Sequence, residues 1–295
     1  MITRTNLLTR LRLVPQFWIG LLLIAVAWPL NWTLEGLRTH LLFFPLWLGY
    51  ALTVDGLVWL RKGTSLLRRN WRAFAGLFLV SAPLWWLFEA INLRTQNWLY
   101  PGQEEIGLFW RVVLKSLSFS TVVPAVFGTA ELVSTAGWLQ RLGKGPVVRP
   151  TRPVLLRFFF AGTLGFLLIM VWPQIFFPFV WFSLYFMLAA LNAGLGHRSL
   201  GDYTASGNWR PVLSLMLGTL ICGFFWEFWN YYGYPRWVYH VPPFEFLYIF
   251  EMPLLGYGGY LPFGLELFAM YHLVIGVLGL RHLDDYVHVT SSSNE

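Results

Sequence analysis

Eight long apolar runs divide this chain and leave it few ways to fold. They cover about residues 13–30, 41–60, 73–92, 106–138, 154–172, 174–194, 211–230 and 246–280. Each approaches or exceeds the roughly 20 residues that a helix needs to cross a bilayer. Backbone in hydrocarbon must satisfy its own N–H and C=O groups, so such runs read as α-helices. Only 12% of the residues are charged, against about 25% in an ordinary globular chain. The connections are too short for a separate soluble domain. The expected fold class is an all-α polytopic membrane protein of about eight spans. The first run, with a basic start and Ala25-Val26-Ala27, has the outline of a cleaved signal peptide. We read it as a span because a counterpart recurs later.

The fourth and eighth runs are too long for one crossing. A straight helix of that length spans about 50 Å, against a hydrocarbon core of about 30 Å. Gly256, Gly258, Gly259 and Pro262 mark a break in the eighth run. The last segment of each half is therefore expected to be a broken helix or a re-entrant segment.

The runs themselves fall into two similar series. Trp28-Pro29 matches Trp172-Pro173, and Phe44-Pro45 with Trp47 matches Phe177-Pro178 with Trp181. Asn70-Trp71-Arg72 recurs letter for letter as Asn208-Trp209-Arg210. Glu89 and Asn92 match Glu227 and Asn230, Trp98 and Tyr100 match Trp237 and Tyr239, and Pro124 matches Pro262. Ordered multi-point matching is the mark of internal duplication. The expectation is two parallel four-helix repeats, 1–140 and 154–281. A basic linker, 141–153, joins them, and a polar, disordered tail, 282–295, follows.

Orientation follows from Lys and Arg in short connections. With a cytoplasmic N-terminus, sixteen of the 21 basic residues fall in cytoplasmic segments and three, Arg38, Arg94 and Arg236, fall outside. Both termini are thus expected in the cytoplasm of a cell (inner or plasma) membrane. The net charge of +7 reads as this topology signal plus contact of the basic loops with anionic lipid, not as nucleic-acid binding. The single cysteine, Cys222, excludes an internal disulfide and a metal centre with two thiolates. Oligomeric state is left open.

Two stretches carry the chemistry: Leu87 to Tyr100, and Phe224 to Tyr239. The spacing of Glu89 with Asn92, and of Glu227 with Asn230, puts each pair on one helix face. A charge within a membrane is costly, so these acids should face the interior, find partners or become protonated. Two readings stand side by side. Each acid is a structural group satisfied by Asn, Trp N–H or a nearby arginine, or it is a proton donor in apolar surroundings. Trp and Tyr also collect at membrane interfaces for amphipathic reasons. Here they crowd one acid, and ring faces attract cations. The candidate catalytic residues are therefore Glu227 and Glu89, oriented by Asn230 and Asn92. The candidate substrate-binding residues are Trp226, Trp229, Tyr231, Trp237, Tyr239, Trp98, Arg236 and Glu251.

Other polar residues suit structural duties. Arg111 and Lys115 lie at nearly the depth of Glu251, so the two halves are expected to pair these charges across their axis, with anionic headgroup binding by Arg111 and Lys115 as the alternative. Glu131, Glu266, His240 and His272 are single groups whose ordinary meaning is packing or hydrogen bonding. The chain contains no Asp-rich diphosphate motif, P-loop, HExxH, CxxC or GxSxG. No metal and no cofactor is expected. The Trp226-Glu227-Phe228 triplet at the end of a span resembles small integral-membrane terpene cyclases over those three residues.

The leading expectation is an enzyme doing acid/base chemistry on an apolar lipid or isoprenoid near the outer leaflet. A proton- or cation-coupled transporter with paired carboxylates is the alternative, and an accessory membrane subunit is a third.

Overall fold

A computed structural model describes residues 14–36, 38–242 and 244–290. Eight helical segments are long and apolar enough to cross a membrane. They are built from α1 (Pro15–Thr33), α2 (Arg38–Lys62), α3 (Trp71–Thr95), α4 (Leu108–Phe119), α5 (Val122–Ser134), α6 (Arg152–Val171), α7 (Val180–Leu195), α8 (Arg210–Tyr231) and α9 (Tyr260–Val277). The protein is an all-α polytopic membrane protein.

The repeated Asn-Trp-Arg triplet has a local task. Asn70 Oδ1 accepts from the N–H groups of Arg72 and Ala73, and Asn208 Oδ1 accepts from that of Arg210. In each case a short side chain satisfies helix-start donors that have no partner within the helix.

The fourth run breaks between α4 and α5. Ser81 fills the gap: its Oγ donates to Phe119 O (2.6 Å) and accepts from Val123 N (3.0 Å). Pro124 then lies in the first turn of α5, where a missing N–H costs little. The eighth run is broken more deeply. It forms a two-stranded hairpin (β3 Tyr248–Ile249, β4 Met252–Pro253), a 3-10 turn (Leu254–Gly259) and then α9.

Helices pack in a matching order along the chain. α1 lies on α2, and α6 lies on α7; α5 packs on α2 and α3, and α9 packs on α7 and α8. The outer pairs close through small residues. A Cβ at Gly20 would meet Gly49 O at 2.6 Å, and one at Gly162 would meet Ser183 O at 2.5 Å. With lipid as apolar as leucine, such close approach is what drives helix association. α5 also packs on α8 across the centre, where a Cβ at Gly218 would meet Ala130 N at 2.7 Å.

The two ends of the bundle differ in chemistry. At one end, Arg69 grips Glu131 with two hydrogen bonds (3.0 and 3.1 Å) and Lys62 Nζ donates to His288 O (2.7 Å). Asp55, also there, accepts from Ser65, Leu67 N and Gln16. At the other end, Asn31 donates to Trp229 O (3.2 Å) and Arg94 to Met170 O (2.9 Å). We call these the basic end and the ribbon end.

One expectation is corrected. The tail is not disordered through residue 290. Tyr286, Val287 and Val289 are buried, Tyr286 Oη donates to Leu66 O, and His288 N donates to Glu131. Residues 291–295 lie outside the described residues, as do Arg4, Arg10 and Arg12. The 141–153 segment is held by hydrogen bonds to the second half. Gly145 N donates to Gly207 O and Thr204 Oγ1 to Val148 O, which lays it across the loop before α8.

Candidate functional site

At the ribbon end, β1 (Trp98–Leu99) pairs antiparallel with β2 (Val238–Tyr239). Trp98 faces Tyr239 and Leu99 faces Val238. Each strand is tied to the helix before it by an asparagine. Asn92 Nδ2 donates to Trp98 O (2.8 Å), and its Oδ1 accepts from Asn97 N (2.8 Å) and Trp98 N (3.3 Å). Asn230 Nδ2 donates to Trp237 O (2.8 Å), and its Oδ1 accepts from Trp237 N (2.9 Å).

This placement aims one tyrosine at each acid. Tyr100 Oη and Trp98 Nε1 both donate to Glu89 Oε1 at 2.8 Å. Tyr239 Oη donates to Glu227 Oε1 at 2.7 Å. Asn92 and Asn230 therefore do not orient the carboxylates directly. Their amides are occupied by strand backbone, and they position the residues that donate to the acids.

The two acids differ in their second oxygen. Glu89 Oε2 meets Lys115 Nζ at 3.2 Å, and the ammonium lies 3.7 Å from the centre of the Tyr100 ring. Glu227 is fully buried; its Oε1 also accepts from Tyr260 Oη (2.6 Å), and its Oε2 has no hydrogen-bond partner among the described residues. Trp237 Nε1 approaches the same carboxylate outside hydrogen-bond geometry. Burial first, and then the neighbouring carboxylate, holds the hydroxyls of Tyr100 and Tyr239 well above the usual 10, so both remain O–H donors.

A chamber of about 460 Å³ lies between the halves at this end. Its wall includes Trp85 and Trp98 from the first half and Trp181, Trp226, Trp237, Tyr239, Phe244 and Tyr260 from the second. Polar groups are few: Tyr100, Lys115, His40 and Asn97 are among them. Neither Glu227 nor Glu89 reaches the wall. Each stands behind the tyrosines that do.

Four of the expected lining residues lie elsewhere. Trp229 packs between Trp47, Tyr50 and Phe225, away from the chamber. Tyr231 stacks on Tyr232 and Phe250. Arg236 pairs with Glu251 (2.8 Å) and donates to Tyr231 O, so both charges tie loop to hairpin. The cause is helical geometry. On α8 the residues 226, 227 and 230 face inward, whereas 224, 228 and 231 meet Phe250 on another flank. The expected cross-axis charge pairing is also corrected. Lys115 pairs with Glu89 of its own half, Arg111 Nη2 donates to Ile106 O, and Glu251 pairs with Arg236.

The sequence reasoning missed Tyr260 and His40. Tyr260 lies 33 residues from Glu227 at the start of α9, and no spacing rule joins them. Of the single polar groups, His240 pairs with Glu245 (2.9 Å), and His272 Nδ1 lies 3.6 Å from Asp284. Glu266 is fully buried, with no hydrogen bond to either oxygen among the described residues.

A second chamber, of about 340 Å³, lies toward the basic end among α6, α7, α8 and α9. Its wall includes Phe158, Tyr185, Phe186, Ser199 and Met216. Phe182 and Gly258 line both chambers. Comparison of the chain with protein-family models, with curated proteins and with solved structures returns no match.

Proposed function

We propose that this protein is an integral membrane enzyme doing acid/base chemistry on an apolar lipid or isoprenoid held in the aromatic chamber. One observation carries the reading. A fully buried carboxylate with an unpaired oxygen, Glu227, is joined to two tyrosine hydroxyls on the chamber wall. Glu227, Tyr260 and Tyr239 then form a proton relay. With Glu227 protonated on Oε1 the Tyr260 bond reverses, so that the carboxyl donates its proton to Tyr260 Oη as that hydroxyl gives its own to an alkene or epoxide. The proton lost from the resulting carbocation returns by the same route, so the step is an isomerisation or cyclisation with no net proton change. Ring faces of Trp226, Trp237 and Trp98 stabilise the cation in between. Glu89, neutralised by Lys115, holds the opposite wall.

The basic end carries Arg61, Lys62, Arg68, Arg69, Arg141 and Lys144. The charge rule assigns it to the cytoplasm and the chamber to the outer leaflet. Its basic loops would contact anionic lipid. The matching helix order and the ribbon pairing support descent from a copied four-helix unit. Leu99 and Val238, paired to each other, are also counterparts in the two series, as a two-fold axis through the ribbon requires.

The test is mass spectrometry, after chromatography, of lipids that co-purify from mild detergent. Wild type is expected to carry substrate and an isomeric product, and Glu227→Gln substrate alone. The same lipid pair in both proteins sinks the acid role. A proton- or cation-coupled transporter is the second reading, favoured by the second chamber toward the basic end. Proton flux in proteoliposomes that Glu227→Gln abolishes would select it.

A further inference from the structure

We infer that the two chambers form one site for a single long apolar chain, and that Phe182 and Gly258 are the waist that sets how long that chain can be. The inference rests on the reading that the aromatic chamber binds lipid, and adds the substrate class: a lipid with one polar end and an unbranched or prenyl tail longer than the first chamber.

Three features carry it. The chambers share Phe182 and Gly258 as wall residues, so the partition between them there is one residue thick. The waist is soft. Phe182 is 43% exposed, and a Cβ at Gly258 would meet nothing within 4 Å. The neighbouring glycines behave differently: a Cβ at Gly256 would strike Met252 Sδ at 2.3 Å, and one at Gly259 the Trp181 ring at 2.8 Å. Gly258 alone of the three turns its open side to free space.

Polarity then orients the occupant. Lys115, His40 and the hydroxyls of Tyr100, Tyr239 and Tyr260 all line the first chamber. The second holds no lysine, arginine, histidine or acid; its polar members are Tyr185, Ser199, Thr204 and Trp209, and the rest of its wall is apolar. A polar end is satisfied in the first chamber, and a tail loses nothing by entering the second. The same orientation puts the bonds nearest the polar end against Tyr260.

Native mass spectrometry of the full chain, incubated with farnesol as a short probe and solanesol as a long one, tests this. Wild type is expected to retain both. Gly258→Leu should lower solanesol retention at least tenfold while leaving farnesol within twofold. Phe182→Ala should raise solanesol relative to farnesol, and Gly258→Ala should retain both. If Gly258→Leu changes the two probes alike, or Phe182→Ala leaves their ratio unmoved, the waist is disproved while farnesol binding keeps the lipid reading intact. If wild type retains neither probe, the lipid reading falls and this inference with it.

Discussion

Tyr260 Oη donates to Glu227 Oε1 across 2.6 Å, although 33 residues separate the two. The bond joins α9 to α8 and brings a buried carboxylate to the edge of the chamber. Removing one partner of a buried hydrogen bond costs about 1–3 kcal/mol. Tyr260→Phe should therefore lower stability by about 2 kcal/mol in a denaturation series and stop lipid conversion. Tyr239→Phe should do the same to a similar extent. Full conversion by both variants would remove the relay.

Lys115 and Glu89 form a half-hidden ion pair, with side chains 11% and 12% exposed. Removing one partner of a buried pair strands the other charge, at about 3 kcal/mol. Lys115→Met alone should cost roughly that much. Lys115→Met with Glu89→Gln should cost less than the sum of the two single changes. Strict additivity in the double-mutant cycle would mean that the pair is not coupled.

Asn92 and Asn230 hold strands rather than acids. Replacing either by Ala leaves backbone groups of the ribbon without partners, a loss of about 1–3 kcal/mol. Hydrogen exchange at Trp98 and Trp237 should accelerate together in each variant, because the strands pair with each other. Exchange that rises on one strand alone would contradict a shared ribbon.

Close helix approach makes glycine positions unequal. Gly218→Ala drives a methyl into Ala130, where a Cβ has 2.7 Å. Overpacking of this kind costs about 1–3 kcal/mol. Gly76→Ala, on α3 with nothing within 4 Å, should be neutral or stabilise by up to about 1 kcal/mol. Thermal unfolding of both variants in the same detergent decides.

The docked tail should respond to acid. Burial first, and then the Arg69 charge, lowers the pKa of His288 below its usual 6.5. The unfolded tail therefore binds a proton that the folded tail refuses in the window just below that value, and stability rises with pH there. As pH falls below 6.5, protease cleavage after residue 281 should quicken, and the slope should end once the folded histidine also protonates. His288→Gln should flatten the profile. An unchanged slope in that variant would assign the effect to another group.

Much of this protein was legible before any coordinates. Apolar length alone specified eight crossings, since a chain in hydrocarbon has to close its own hydrogen bonds. Recurrence of Glu-x-x-Asn and of Asn-Trp-Arg singled out these residues, but that the asparagines tie the ribbon and satisfy helix starts came only from the structure. Glu227, Trp226, Trp237, Tyr239 and Trp98 were named from spacing, and the structure gathers them at the chamber and behind its wall.

What sequence could not decide is which face of each span turns inward. Helices apolar on every side have no stripe to distinguish lipid from core. Trp229 and Trp226 look alike in the chain and both pack on Trp47; one turns to Tyr50 and Phe225 and the other lines the chamber. Tyr260, His40 and Phe182 acquire meaning only once α2, α7 and α9 are set against α8. That arrangement depends on where glycines such as Gly218 and Gly264 let backbones touch, a long-range steric fit that no local pattern encodes.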